Sequence, residues 1–402
     1  MVRLLLDDLL VVDVSRALAG PHAAMMLADM GARVIKVEPP TGDDSRRWGP
    51  PFVGEVSADG HDERDSTYFL SCNRNKQSVV ADLKTPAGLS LLRRLVARAD
   101  VLCENFRPGV LARLGLDHEG LLRMNPRLIV LSITGFGHDG PDGDRPGYDQ
   151  IAQGEAGLMS LTGPRPDEPT RIGVPIADLL AGMYGAFGVL AALHEREVTG
   201  RGRIVRTSLL AAVVGAHSFQ GTATTVAGLT PMASGNHHPS IAPYGLFRCS
   251  DGHAVHIAVG SEALWSRFAS LVGLSANDPR FANNAARVQR REELKALIQH
   301  GLASAPADHW AAVLRRAGVP AGLVRDLSQV YSWDQTRSQG LVISVDHPVA
   351  GTLTLPGSPL RFDGNSHSGA DAHNEAPPTL GQHTNAVSRW LDEQDRPAED
   401  DR

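Results

Sequence analysis

The chain has 402 residues, of which 42% are hydrophobic and 21% are charged, the composition of an ordinary globular protein. This length exceeds the roughly 250–300 residues at which one hydrophobic core usually stops growing, so we expect two domains. A net charge of -6 excludes the general attraction to phosphate backbones on which basic proteins rely, so nucleic acid is not an expected partner.

The cysteines and the N-terminal residues indicate a compartment. Cys72, Cys103 and Cys249 are scattered with no metal-binding or redox spacing, which favours a reducing environment. Residues 1–14 are apolar but include three aspartates and lack the small-residue cleavage site of a signal peptide. Uninterrupted apolar runs fall short of the roughly 18 residues that a membrane span needs. We therefore expect a cytoplasmic protein with no membrane partner.

Strand patterns alternate with helical patterns through the first half of the chain. Apolar segments at 9–14 and 32–37 flank a helix that begins near Pro21, which is typical of a βαβ unit. The alternation continues with helices near Pro86 and over 108–125. The strands predicted before, between and after these helices are 78–83, 101–104 and 127–133. The predicted fold class is α/β, with a Rossmann-like parallel sheet in a large domain.

An apolar segment at 178–198 is too long for a strand and apolar on nearly all sides, so it predicts a buried helix. Beyond it the composition shifts to small and polar residues, and then to a new mixture of strand and helix patterns. The predicted limits are 1–205 for the large domain, 206–240 for a linker, 241–325 for a smaller α+β domain, 326–345 for a returning linker, 346–391 for a part completing the large domain and 392–402 for a disordered tail.

Two patterns suggest a cofactor, but neither has the surroundings that a cofactor site requires. Residues 135–140 match G-x-G-x-x-G, yet Pro141 and Pro146 follow where a helix would have to open, so we expect no dinucleotide site. The histidines have poor metal spacings, since His237 and His238 are adjacent and no third ligand accompanies them. We therefore expect no metal.

Asp178 begins the long helical pattern and has two interpretations. An aspartate at the start of a helix is a favoured N-cap, which is a purely structural role. The unpaired N–H groups and the positive end of the helix dipole would equally hold a reactive carboxylate ionised and oriented. The same donors would stabilise an oxyanion that develops beside it. Position and composition leave both interpretations open.

An ordered set of short motifs extends over nearly the whole chain. They include Ala-Gly-Pro at 19–21, Val-Ile-Lys-Val-Glu at 34–38, Asn-Arg-Asn-Lys at 73–76, Glu-Asn-Phe-Arg-Pro-Gly at 104–109, Gly-Tyr-Asp at 147–149, Gly-Val-Pro at 318–320 and Leu-Gly-Gln-His-Thr at 380–384. Together with the segment around Asp178, these motifs resemble the class III coenzyme A transferase family, which includes formyl-CoA transferase, the carnitine CoA-transferases and α-methylacyl-CoA racemase.

The resemblance implies a fold, an assembly and a mechanism. The family forms an interlocked, ring-like homodimer, and a carboxylate at the position of Asp178 attacks an acyl-CoA thioester. An aspartyl–acyl anhydride and an aspartyl–CoA thioester follow, and a free carboxylic acid finally accepts CoA. No cofactor beyond coenzyme A is expected. The positions that match the family's CoA contacts are Leu18, Lys84, Asn105, Phe106, Arg107, Arg113, Tyr148 and Asp149.

Departures from individual family members narrow the expected reaction. Formyl-CoA transferase has a glutamine at the position of Leu18 and an arginine at that of Pro39, which argues against oxalate chemistry. The racemase has a histidine where this chain has Tyr148, so one of two bases for α-proton exchange is missing. Residues 235–244 are similar to transferases that use succinyl-CoA and dicarboxylic or hydroxy acids. A CoA-transferase is expected, and an α-methylacyl-CoA racemase or a non-catalytic CoA-binding homologue are the alternatives.

Overall fold

The structure is a computed structural model that describes residues 4–54, 64–362 and 374–396. Its strands, in chain order, are β1 (Leu10–Asp13), β2 (Arg33–Glu38), β3 (Phe52–Val53), β4 (Asp65–Ser66), β5 (Lys76–Val80), β6 (Val101–Glu104), β7 (Ile129–Thr134), β8 (Ile204–Ser208), β9 (Tyr244–Arg248), β10 (Ala254–Ala258), β11 (Ala321–Leu323), β12 (Val342–His347) and β13 (Gly351–Pro356).

The α-helices are α1 (Ala19–Asp29), α2 (Thr67–Leu70), α3 (Pro86–Val96), α4 (Val110–Arg113), α5 (His118–Met124), α6 (Asp149–Glu155), α7 (Leu158–Leu161), α8 (Ile176–Thr199), α9 (Leu209–Gly215), α10 (Ser218–Ala227), α11 (Glu262–Leu271), α12 (Asn284–Gln289), α13 (Arg291–Leu302), α14 (Ala307–Arg316), α15 (Leu327–Ser332), α16 (Asp334–Ser338) and α17 (Thr384–Gln394). Short 3₁₀ turns occur at Asp44–Arg47 and Pro279–Phe281.

A six-stranded parallel sheet, in the order β5-β2-β1-β6-β7-β8, organises the first half of the chain. Val11 on β1 lies opposite Val34 on one side and Val101 on the other. The central strands β1, β6 and β7 are mainly apolar because both faces of the sheet are covered. Val11 and its neighbour Val12 accordingly enter different core clusters. The predicted α/β fold with a parallel sheet is confirmed.

The strand order reverses direction between β1 and β6. From β1 the chain builds outward through β2 to β5, and then it returns to β6 and builds outward through β7 to β8 on the other side. In open parallel sheets, ligands bind in the crevice at the carboxyl ends of the strands where such a reversal occurs. The segments that follow β1 and β6, residues 14–18 and 105–109, therefore frame the expected ligand site.

The chain divides into two compact units, one of residues 1–158, 172–225 and 334–402, and the other of residues 159–171 and 226–333. The second unit contains a three-stranded antiparallel sheet, β11-β10-β9. Residues 159–171 group with this unit, although the sequence-based limits assigned them to the large domain. The reason is backbone pairing, since Ala233 N–H donates to Ser160 C=O at 2.9 Å and Gly235 N–H donates to Gly163 C=O at 3.0 Å.

Helix α8 is buried on one face only, in contrast to the predicted burial all round. A Cβ added at Gly182 would lie 2.7 Å from the Ala19 carbonyl oxygen, so this small residue allows α8 to approach α1 closely. On the outer face, Met183, Tyr184 and Phe187 are exposed by 49%, 44% and 71%. By length and composition α8 is also the one helix of the described residues that could cross a membrane, although its inner face packs in a core cluster.

The last helix, α17, extends into the predicted disordered tail. Its residues 392–394 are helical because the helix is anchored by Val387 and Leu391, which are fully buried in the core cluster of the parallel sheet. Residues 397–402 of that predicted tail lie outside the described residues.

Candidate active site

The two segments at the sheet reversal are tied to each other by one asparagine side chain. Asn105 accepts a hydrogen bond from the Arg16 backbone N–H at 2.8 Å and donates to the Arg16 carbonyl oxygen at 2.7 Å. The next residue, Ala17, has a left-handed φ of 65°, and its N–H donates to Asp43 at 3.2 Å. These bonds hold a strained turn at the carboxyl end of β1.

Asp149, and not Asp178, caps helix α8. The helix begins at Ile176, so Asp178 lies in its first turn. Asp149 Oδ1 accepts from the N–H groups of Ala177 and Asp178 at 2.7 and 3.3 Å, while Gln153 donates to Asp149 Oδ2 at 2.7 Å. The cap interpretation of Asp178 is therefore wrong. Because another carboxylate satisfies the helix end, the Asp178 carboxylate has no capping role.

A cavity of about 430 Å³ opens beside Asp178 at the carboxyl edge of the sheet. Besides Asp178, its wall contains cationic and amide side chains and several aromatic rings. These are Arg16, Arg107, Arg145, Asn105, Trp48, Tyr68, Phe106 and Tyr148. A largely buried carboxylate, positive charge and aromatic walls in one cavity suit a large, anionic substrate with an electrophilic carbonyl group.

The ionisation of Asp178 differs from the expectation drawn from the helix dipole. Burial, and secondarily the charge of Asp149, raise the pKa of Asp178 from 3.8 to about 7. The N–H groups that would have held it ionised are engaged by Asp149 instead. Near neutral pH the Asp178 carboxyl group is thus present in both its protonated and its ionised form.

Tyr68 and Trp48 form an aromatic corner of the cavity that the sequence motifs did not reveal. Their rings meet edge to face with centroids 5.0 Å apart. Burial, together with the negative charge of Asp178, raises the pKa of Tyr68 well above its ordinary range. The phenol therefore stays protonated and is available as a hydrogen-bond donor in the cavity of Asp178.

A second cavity, of about 500 Å³, shares Phe106 with the first as a lining residue. Its cations are Lys84 and Arg16, and Arg16 and Phe106 line both cavities. The remaining wall is largely apolar and includes Val14, Val37, Pro39, Leu83, Val110 and Leu114. Apolar walls with a cation at the rim suit a phosphorylated nucleotide.

The structure brings together five of the eight residues expected to bind CoA. Asn105, Phe106, Arg107 and Tyr148 line the Asp178 cavity, and Lys84 lines the second cavity with Phe106. The other three lie elsewhere. Leu18 is buried in a small core cluster, Asp149 caps α8, and Arg113 lines neither of the two cavities.

The glycine pattern at 135–140 has a packing role at the wall of the Asp178 cavity. A Cβ at Gly135 would lie 2.7 Å from the Cα of Gly147, so only glycine allows the two backbones to meet. The next helix after the pattern, α6, begins only at Asp149. Across the part of the chain that the structure describes, no three His, Cys, Asp or Glu side chains are grouped to hold a metal ion.

Comparison with known proteins identifies the family. The sequence model of CoA-transferase family III matches residues 6–384. The chain belongs to CoA-transferase family III. The resemblance inferred from the motifs is therefore confirmed, and as a member of this family the chain is an enzyme that transfers CoA between an acyl-CoA and a carboxylic acid.

Curated family III relatives are similar over most of their length. Succinyl-CoA:glutarate CoA-transferase of Mus musculus is 36% identical over 95% of this chain and 85% of its own. Succinate–glutarate CoA-transferase of Agrobacterium fabrum is 38% identical over 98% of this chain and 97% of its own. Acetyl-CoA:oxalate CoA-transferase of Acetobacter aceti is 37% identical, with 89% of each chain covered.

Solved family structures share the fold. A CaiB/BaiF family protein from Brucella suis is 39% identical and superposes with a TM-score of 0.86, covering 97% of this chain and 100% of its own. A hypothetical protein from Mycobacterium tuberculosis is 31% identical, with a TM-score of 0.81 and coverage of 96% and 99%. The parallel-sheet architecture is thus common to these proteins.

Proposed function

We propose that this family III enzyme uses Asp178 as a covalent nucleophile to move CoA from a dicarboxylic acyl-CoA, such as succinyl-CoA, to a free dicarboxylic acid. The observation that carries the proposal is the position of Asp178 on the wall of a cavity rich in cations and aromatic rings, beside a second cavity that suits a nucleotide. Coenzyme A is the carried group, and no other cofactor takes part in the proposed steps.

The proposed reaction has two matched halves. An Asp178 oxygen attacks the donor thioester carbonyl, the C–S bond breaks, and an aspartyl–acyl anhydride and CoA thiolate form. The thiolate then attacks the Asp178 carbonyl carbon, which releases the donor acid and leaves an aspartyl–CoA thioester. The acceptor carboxylate attacks the carbonyl carbon of this thioester, which breaks the C–S bond, forms an anhydride between Asp178 and the acceptor, and regenerates the thiolate. Attack of the thiolate on the acceptor acyl group yields the new acyl-CoA and free Asp178.

The surroundings of Asp178 support this chemistry. The first step needs the ionised carboxylate, and a pKa of about 7 provides both an ionised fraction at neutral pH and a more basic nucleophile than an ordinary aspartate. The protonated phenol of Tyr68, in the same cavity, suits donation to a developing oxyanion. The same burial makes the ionised Asp178 carboxylate unfavourable in the native state and so lowers the stability of the folded protein.

Dicarboxylic substrates are proposed from the charge of the cavity and from the relatives. Three arginines, Arg16, Arg107 and Arg145, line the same cavity as Asp178. Arg145 is engaged by Glu155 at 2.8 Å, whereas no ion pair engages Arg107 within the described part of the chain. A distal carboxylate of the acyl group would bind a free guanidinium in a bidentate manner. The relatives named for succinyl-CoA and glutarate act on acids of this type.

We propose a homodimer as the working assembly and the cytoplasm as its location, with no membrane or nucleic-acid partner. The exposed outer face of α8 supports a second copy, since Met183, Tyr184 and Phe187 form an apolar surface of a kind that soluble monomers rarely leave uncovered. Val214 and Phe219 on the following helices are also exposed, by 50% and 52%. The interlocked arrangement is the form of dimer expected from the family.

The test is a matrix of acyl-CoA donors and acceptor acids, including oxalate, read by mass spectrometry. With an ¹⁸O-labelled acceptor, the anhydride steps deposit label on Asp178 and, one turnover later, in the released donor acid. Asp178→Asn should lose at least about a thousandfold in kcat because the amide cannot form the anhydride. Transfer without label on Asp178, or loss of α-deuterium from a labelled acyl-CoA with no acceptor present, would contradict the proposal.

A further inference from the structure

Arg16 occupies the junction between the two cavities. Together with Phe106 it is shared by both walls, whereas Lys84 belongs only to the second cavity and Asp178 only to the first. An acyl-CoA is an elongated molecule with its adenosine at one end and its thioester at the other. A residue common to both cavities therefore faces the middle of that molecule, where the diphosphate follows the adenosine.

The Arg16 guanidinium is free to bind an anion. It is exposed, and no described carboxylate lies within ion-pair distance of it. Of the carboxylates that line the two cavities, Asp44 pairs with Arg47 at 3.1 Å and Asp82 accepts from the Lys84 backbone N–H at 3.0 Å. The third, Asp178, lines only the first cavity. A cation at a cavity junction with no protein counter-ion is available for a ligand phosphate.

The position of Arg16 is also well defined. Both backbone polar groups of Arg16 are held by Asn105, and its guanidinium carbon lies 5.7 Å from the centre of the Phe106 ring. Contact with the ring restricts the planar group while its N–H edges stay open for two oxygen atoms. Little conformational freedom remains to be lost when a diphosphate binds.

We propose that Arg16 binds the diphosphate of the acyl-CoA and so selects complete CoA thioesters over pantetheine thioesters. This inference rests on the proposed function, because it assumes that the adenosine end occupies the cavity of Lys84 and the thioester reaches Asp178. Arg16 then contributes to ground-state binding of the donor and takes no part in the covalent steps.

Isothermal titration with ADP and with pantetheine tests the assignment without requiring turnover. Arg16→Gln should weaken ADP binding by about tenfold or more and leave pantetheine binding unchanged, the loss typical of a charged hydrogen-bonding partner. Arg16→Lys should recover part of the affinity, because it keeps the charge and loses the two-pronged geometry. Arg123→Gln, an exposed arginine on α5, is the matched control and should bind both probes as wild type does.

Kinetics provide the second measurement. Arg16→Gln should raise KM for acyl-CoA with little change in kcat, and it should leave turnover of an acyl-pantetheine unchanged. Unchanged ADP affinity in Arg16→Gln would overturn the inference. If that variant also lost its discrimination between monocarboxylic and dicarboxylic acceptors, Arg16 would lie at the acyl end of the substrate instead. A lysine that restores nothing would attribute the loss to a disturbed Asn105 contact and also overturn it. Weaker ADP binding in a chain that transfers no CoA would instead refute the proposed function alone.

Discussion

Replacing Asp178 by asparagine should stabilise the protein as well as inactivate it. The folded state raises the pKa of Asp178 from 3.8 to about 7. Between these two values the native state binds more protons than the unfolded state, so the free energy of unfolding falls as pH rises. At about 1.4 kcal/mol per pKa unit, the ionised Asp178 lowers the free energy of unfolding by about 4 kcal/mol above pH 7. This value is an upper limit because Asp178 retains some solvent contact.

Asparagine does not titrate, so Asp178→Asn should exceed wild type in stability by only about 1 kcal/mol at pH 4.5, where the unfolded aspartate is already mostly ionised, and by up to about 4 kcal/mol at pH 8.5. Urea unfolding at both pH values measures the difference directly. Asp44→Asn removes an exposed carboxylate from the same cavity and is the matched control for a change of net charge. A stability gain of equal size at both pH values, or no gain at pH 8.5, would refute the assignment of a raised pKa to Asp178.

Three further outcomes are expected. Asp149→Ala should lower the free energy of unfolding by about 1 kcal/mol, because the cap of α8 is lost. It should also move the acidic limb of the pH profile of kcat to lower pH, because the charge that helps to raise the pKa of Asp178 is gone. Lys84→Gln should raise KM for acyl-CoA several-fold with kcat nearly unchanged in steady-state assays, since Lys84 lines the second cavity and not the cavity of Asp178. Phe187→Asp should convert the dimer to a monomer in light scattering, because it places a charge on the exposed apolar face of α8; a persistent dimer would locate the interface elsewhere.

Much of the fold could be predicted because its pattern is local. Strands such as Ile129–Thr134 are short, mainly apolar runs, and helices such as Pro86–Val96 open at a proline that follows a capping threonine. The helical pattern at 178–198 was also correct in type. Its burial was not, because periodicity reports which faces are apolar and cannot report what covers them.

The candidate site was only partly predictable. Motifs located Asp178, Lys84 and the 105–107 segment, and the structure places these on two neighbouring cavities. Arg16, Trp48 and Tyr68 were missed. The position of Arg16 had a usable signal, since it follows the first strand of a sheet whose order reverses beside that strand. Tyr68 carried none, because its approach to Asp178 depends on the fold.

The sequence by itself determined the parallel α/β architecture and the family, since both depend on residue types at short spacings or on motifs in a set order, and the same motifs pointed to Asp178 as the candidate nucleophile. Only the tertiary structure decided that Asp149 takes the cap of α8, that burial raises the pKa of Asp178, and that Arg16 is held by Asn105 from 89 positions away. The physical reason is the range of the interactions. Hydrogen bonds and desolvation act through space, and the chain topology alone brings distant residues into their reach.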